Sequence, residues 1–143
     1  MIPVCPRCDA ALFILEFKDV EVDFCHKCRG LWLDAGELET LLEHTGADAQ
    51  DPLLSFQREP GKRIEGRNML CPRCDRPLLE IDARRDAQTV KIDRCAQGHG
   101  LWFDHAELRQ LLALFPPSSG ASKTVAYLNE LLGGDIPTKG ETQ

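Results

Sequence analysis

The chain has 143 residues, 43% of them apolar and 28% charged, with six Phe, two Trp and one Tyr. That length fits one ordinary domain or two very small ones, and so few aromatic side chains argue against a large interior. Seventeen basic against 23 acidic residues give a net charge of −6, which disfavours a general nucleic-acid or anionic-membrane surface.

The elements follow in chain order. Cys5-Pro6-Arg7-Cys8 opens the chain as a tight turn. Pro6 fits there, because a fixed φ suits the turn and no N–H is missed. Leu12 to Phe17 and Val20-Glu21-Val22-Asp23-Phe24 predict two paired strands, the second alternating apolar and polar as half-buried strands do. Cys25-His26-Lys27-Cys28 follows, then Gly30-Leu31-Trp32-Leu33-Asp34. A helix is expected next, with Asp34 and Glu37 at capping-box spacing, Leu38, Leu41 and Leu42 on one face, and Gly46 at its end.

Residues 49–68 read as a linker, with two prolines, two glycines and no sustained period. The pattern then repeats. Leu70-Cys71-Pro72-Arg73-Cys74-Asp75 restates Val4-Cys5-Pro6-Arg7-Cys8-Asp9, and Cys95 to Asp104 restates Cys25 to Asp34. The strands of this copy are expected over Leu78 to Ala83 and Val90 to Asp93. Four extra residues lie between its cysteine groups, placed at a hairpin tip of Arg84-Arg85-Asp86-Ala87. Asp104 and Glu107 repeat the capping pair, Leu108, Leu111, Leu112 and Phe115 repeat the apolar face, and Pro116-Pro117 ends that helix. Ser118-Ser119-Gly120 opens a last helix, Ala121 to Leu132, with Val125, Leu128 and Leu132 in register. Gly133-Gly134 stops it, and the final nine residues are expected to be disordered.

The cysteines carry the chemistry. Seven thiols in an acidic chain whose first residues lack a signal-peptide pattern point to a reducing compartment, so the expected location is the cytoplasm. No stretch approaches the ~18 apolar residues of a membrane span. Two close pairs of thiolate or imidazole ligands form a closed tetrahedral zinc site. Cys5, Cys8, Cys25 and Cys28 make one such set. In the second copy Gly98 stands where Cys28 stands in the first, and His99 where Arg29 does. Because an imidazole is longer than a thiol-bearing side chain, His99 can reach the same metal from one position along. Cys71, Cys74, Cys95 and His99 are therefore the expected second set, with His105 as the other histidine to consider.

With C-P-x-C followed by C-x-x-C-x-G-x-W-x-D-x-x-E-L, the chain resembles the transcription factor IIB-type zinc-ribbon domain found in bacterial proteins, in two tandem copies. Residues 5–42 carry the whole motif, and 71–112 carry it apart from Gly98 and His99. The resemblance implies zinc at Cys5, Cys8, Cys25 and Cys28 and at Cys71, Cys74 and Cys95; His99 rests on spacing alone. The expected fold is a small metal-stabilised α+β chain. Two tandem zinc ribbons, each a β-hairpin with zinc knuckles, are each followed by a short helix, and a C-terminal helix closes the chain. The expected division is 1–48 for the first ribbon and helix, 49–68 for the linker, 69–115 for the second ribbon and helix, and 116–143 for the last helix and tail.

Function is expected to be non-enzymatic. Four protein ligands leave a zinc ion no open position for water, so both ions are structural. A ribbon of about 40 residues cannot bury enough surface to fold unaided, and the metal makes up the deficit. Trp32 and Trp102 are expected to pack between hairpin and helix, and His26 and His44 to lie on the surface. A thiol redox enzyme using C-P-R-C would need a free cysteine pair, and every cysteine is already assigned. Residues 1–48 carry 4 basic and 10 acidic side chains, while residues 49–100 carry 10 and 8. That second segment could touch phosphates, yet residues 57–101 contain no Phe, Tyr or Trp to stack on bases. The expected partner is a protein; a transcription factor using the second ribbon and linker is the alternative, and no small-molecule substrate is implied.

Overall fold

A computed structural model describes residues 2–17, 19–116 and 120–131. Pro117, Ser118, Ser119, Leu132, Gly133-Gly134 and the tail lie outside the described residues.

The first hairpin is β1 (Phe13–Phe17) with β2 (Val20–Phe24), and the second is β4 (Leu78–Arg85) with β5 (Gln88–Cys95). The four extra residues of the second copy are spent on strand: β4 and β5 have eight residues each, β1 and β2 five. Each hairpin gains a third strand absent from the sequence expectation, β3 (Leu31–Asp34) and β6 (Gly100–Phe103). These strands pair antiparallel with one another, Trp32 opposite Trp102, Leu31 opposite Phe103 and Leu33 opposite Leu101. The two ribbons thereby join in one six-stranded antiparallel sheet of order β1-β2-β3-β6-β5-β4, with a local two-fold at the tryptophan pair.

Strand alternation sorts the side chains onto two faces. On one face Val20, Val22, Leu31, Leu33, Ile81, Ile92, Leu101 and Phe103 form a core with the leucines of α1 (Glu37–His44) and α2 (Glu107–Leu112). The third helix, α3 (Ala121–Leu131), packs back on that core through Leu128 and Val125, and Thr124 meets Thr45 beside it. On the other face Trp32 and Trp102 lie fully buried among Cys5, Cys25, Cys71 and Cys95. The indoles thus pack on the metal side rather than between hairpin and helix.

The connecting segment is packed as well. Asp51 accepts from the Leu53 N–H and opens a 3-10 helix, Pro52–Arg58, that buries Leu53, Leu54 and Phe56. Downstream, Lys62 bridges antiparallel to Glu80 on the outer edge of β4.

Candidate metal centres

Two knuckles position each ligand group. Cys5 N–H donates to the Ala10 carbonyl and Asp9 N–H to the Cys5 carbonyl, which closes the first turn. Cys71, Arg76 and Asp75 repeat those bonds in the second copy. Asp9 and Asp75 have φ of 61° and 63°, a left-handed bend that Asp tolerates better than most residues. The turns aim backbone donors at sulfur: Arg7 and Cys8 N–H at Cys5 Sγ, Arg73 N–H at Cys71 Sγ, and Gln97 N–H at Cys95 Sγ.

The ligand atoms of Cys5, Cys8, Cys25 and Cys28 all lie within 4.8 Å of one another, and so do those of Cys71, Cys74, Cys95 and His99. Cys5 Sγ is 3.7 Å from Cys28 Sγ, Cys74 Sγ 3.6 Å from Cys95 Sγ, and Cys95 Sγ 3.3 Å from His99 Nδ1. A tetrahedron of sulfurs about 2.3 Å from zinc has edges of about 3.8 Å, so both groups fit zinc. No cysteine is in a disulfide. His99 joins its group and His105 does not. Each group draws all four donor atoms from its own ribbon.

Burial makes a bare thiolate costly in these groups. It pushes the Cys71 thiol up to about 12, the Cys28 thiol up to about 11, and Cys5 upward too. Cys95 goes down to about 7: burial opposes this, but N–H groups of His99 and Gln97 and the neighbouring thiols outweigh it. The raised thiols keep their protons until a cation takes their place, so metal binding releases protons.

The motif residues between the sites prove to join the ribbons. Trp32 Nε1 donates to Asp34 Oδ1 at 2.8 Å, and Trp102 Nε1 to Asp104 Oδ1 at 2.9 Å. A buried indole N–H needs such an acceptor. These aspartates therefore satisfy the tryptophans, and neither helix has a side-chain cap at its first turn. The expected capping boxes are corrected on that point. Only the reaching-back half survives, in the second copy, where Glu107 accepts from Asp104 N–H; Glu37 accepts from Glu21 N–H instead.

The knuckle arginines cross to the opposite ribbon. Arg73 donates to both oxygens of Asp34 and of Asp23, whose carboxylate is 1% exposed. Arg7 lies 3.6 Å from Asp104 and is half exposed. Asp93, the counterpart of Asp23, takes its cation from Arg67 in the connecting segment. The glycines preceding the tryptophan motifs allow this close approach. A Cβ on Gly30 would sit 2.2 Å from Trp102 Cζ2, and one on Gly100 would sit 2.3 Å from the Leu33 carbonyl oxygen.

The model of the transcription factor zinc-finger family, of the IIB-type zinc ribbon, matches residues 4–44 and again 70–114. The chain belongs to that family. Two matched regions agree with the tandem zinc ribbons described above, and the four-donor groups with one structural zinc ion in each. Nothing among curated proteins or solved structures matches the chain. No helix among the described residues is long and apolar enough to cross a membrane.

Proposed function

We propose that this member of the transcription factor zinc-finger family is a non-enzymatic interaction module. Cys5, Cys8, Cys25 and Cys28 hold one zinc ion, and Cys71, Cys74, Cys95 and His99 hold the other. One observation carries this reading: all seven cysteines and His99 fall into two closed four-donor groups. That leaves no paired thiol for redox exchange and no open ligand position for hydrolysis. Seven thiols suit a reducing compartment such as the cytoplasm.

A protein partner is favoured over nucleic acid by what the basic side chains do. Of the ten between residues 49 and 100, six are committed within the fold. Arg67 pairs with Asp93, Arg73 with Asp23 and Asp34, Arg84 with Asp82, Arg85 with Asp51, and Lys91 with Asp82, while Arg94 donates to the carbonyls of Glu59 and Pro60. Seven thiolates against two divalent ions take the net charge further down, to about −9. A transcription-associated setting follows the family description.

Native mass spectrometry of the protein isolated from cells tests the reading. Two zinc ions per chain together with a bound protein are expected. A single ion, or a chain that turns over a substrate with both sites filled, overturns it.

A further inference from the structure

The two ribbons end in outer strands, β1 and β4, that are equivalent by register. Phe13 opposes Phe24 and Leu79 opposes Arg94, so Ile14 corresponds to Glu80 and Glu16 to Asp82. The second edge is covered and neutralised. Lys62 and Glu80 exchange both backbone hydrogen bonds, and Gly61 lies flush against Leu79 and Ile81. Arg94 clamps the preceding carbonyls of Glu59 and Pro60. Asp82 sits opposite Lys91, which pairs with it at 3.2 Å.

At the first edge every one of these features is replaced. Among the described residues nothing bridges to the outer side of β1 at Ile14 or Glu16. Phe13 and Ile14 are 50% and 54% exposed, with Phe13 stacked on His26 at 5.0 Å. Glu16 lies opposite Glu21, like charge against like, and no described residue provides either carboxylate with a cation. Cross-strand like charges are destabilising, and a long apolar sheet edge invites pairing.

From this contrast we infer that the outer edge of β1 is a docking site for an extended segment of another protein, with a basic residue two positions ahead of an adjacent apolar pair, that adds an antiparallel seventh strand. The Lys62–Glu80 bridge is the internal template for the pairing direction. Apolar side chains of the guest cover Phe13 and Ile14, and a Lys or Arg beside Glu16 relieves the Glu16–Glu21 pair. Main-chain hydrogen bonds supply affinity in such strand addition and the side chains supply selectivity. A second copy of this chain is the wrong guest: it would bring a ribbon with 4 basic and 10 acidic residues against its equal.

This inference rests on the interaction-module reading and names its site. The test uses the full zinc-loaded chain and a nine-residue extended peptide with Lys-Thr-Ile-Ile at its centre, the Lys to lie beside Glu16 and the two Ile beside Ile14 and Phe13, followed by amide NMR. Shifts centred on the Ile14 and Glu16 amides are expected. At least tenfold weaker binding is expected for the peptide with Glu in place of that Lys, and for the double variant Ile14→Lys, Glu16→Lys. Both substitutions fall on exposed side chains, and unchanged zinc content and circular dichroism confirm that the variant is folded. Three results overturn the inference: no binding, unchanged binding by the folded variant, or shifts centred instead on the groove of about 330 Å³ that Val4 and Leu70 line between the knuckles. Concentration-dependent dimerisation lost in the variant also overturns it. If a cellular partner stays bound to the double variant, only the edge assignment fails; if the wild-type chain has no protein partner, the interaction-module reading itself fails.

Discussion

The two ribbons share a motif but carry different structural loads. The first has four sulfurs around its metal, a doubly negative centre once zinc is bound, whereas the second replaces one sulfur by an imidazole and is singly negative. The second hairpin is also the longer, and its tip is anchored: Arg85 donates to Asp51 Oδ1 at 2.6 Å and to the Leu114 carbonyl at 3.1 Å. Duplication has let one copy be built into the molecule, with its edge covered and its charges paired. The other copy keeps an acidic, open edge. What both copies need is the metal and the opposite copy's glycine and tryptophan.

The largest expected effect comes from taking the metal away. Chelation should unfold both halves in a single transition, because the sheet is continuous through β3 and β6, with a loss on the order of 10 kcal/mol of folding free energy. His99→Ala should lower zinc from two ions to about one per chain, while His105→Ala keeps two. Elemental analysis after gel filtration reads this directly, and equal zinc in wild type and His99→Ala would sink the assignment of the second site. Two separate unfolding transitions would show that the ribbons are independent.

The knuckle arginines give the next contrast, since equivalent positions should behave unequally. Arg73→Ala leaves the buried Asp23 without its cation and should cost about 3–5 kcal/mol. Arg7→Ala removes a longer, half-exposed pair and should cost under about 1 kcal/mol. Urea titration of both variants measures the difference. Equal losses would mean that Arg67 does not stand in for Arg7 at Asp93.

Steric contacts at the joint come next. Gly30→Ala forces a methyl into the edge of the Trp102 indole, a crowding of about 1–3 kcal/mol if the ring can shift. Gly100→Ala meets a backbone carbonyl, which yields less readily, so its loss should be the greater of the two. A reversed order, again by urea titration, would place the rigid element on the other side of the joint.

Much of this was legible in the residues, and the remainder was not for identifiable reasons. Period-two patterns marked both hairpins, and the spacing of the cysteines marked both metal groups. His99 emerged from aligning the copies. The strands β3 and β6 did not emerge, because Leu-Trp-Leu-Asp is four residues long and buried on both faces, so it shows no alternation. The sheet that joins the ribbons is a long-range register with no local signal. Even so, a glycine two positions before each tryptophan hinted at a close approach. Asp51-Pro52 was a readable helix start inside the supposed linker, since Asp caps and Pro suits the first position. Asp34 and Glu37 had the spacing of a capping box, but the buried indole N–H is the more demanding donor and takes the aspartate.

The smallest expected effect separates Glu107 from Glu37. Burial, joined by the carboxylates of Asp104 and Asp93, pushes Glu107 up from 4.5 to about 7, against the lowering effect of the Asp104 N–H. Glu37 is raised as well, mainly by burial, but less far. A carboxyl that holds its proton more tightly when folded makes folding take up a proton. Its ionised form destabilises the native state above pH 7, and this penalty fades as pH falls through 7 toward 4.5. Wild type should therefore gain about 1 kcal/mol between pH 7.5 and pH 6 relative to Glu107→Gln, whose amide oxygen can still accept from Asp104 N–H. Asp93 titrates in both proteins, so the difference isolates Glu107. The same comparison for Glu37→Gln should give a smaller slope in that range. Parallel stability curves for Glu107→Gln and wild type would show that water reaches this carboxylate and that the second ribbon is no drier here than the first.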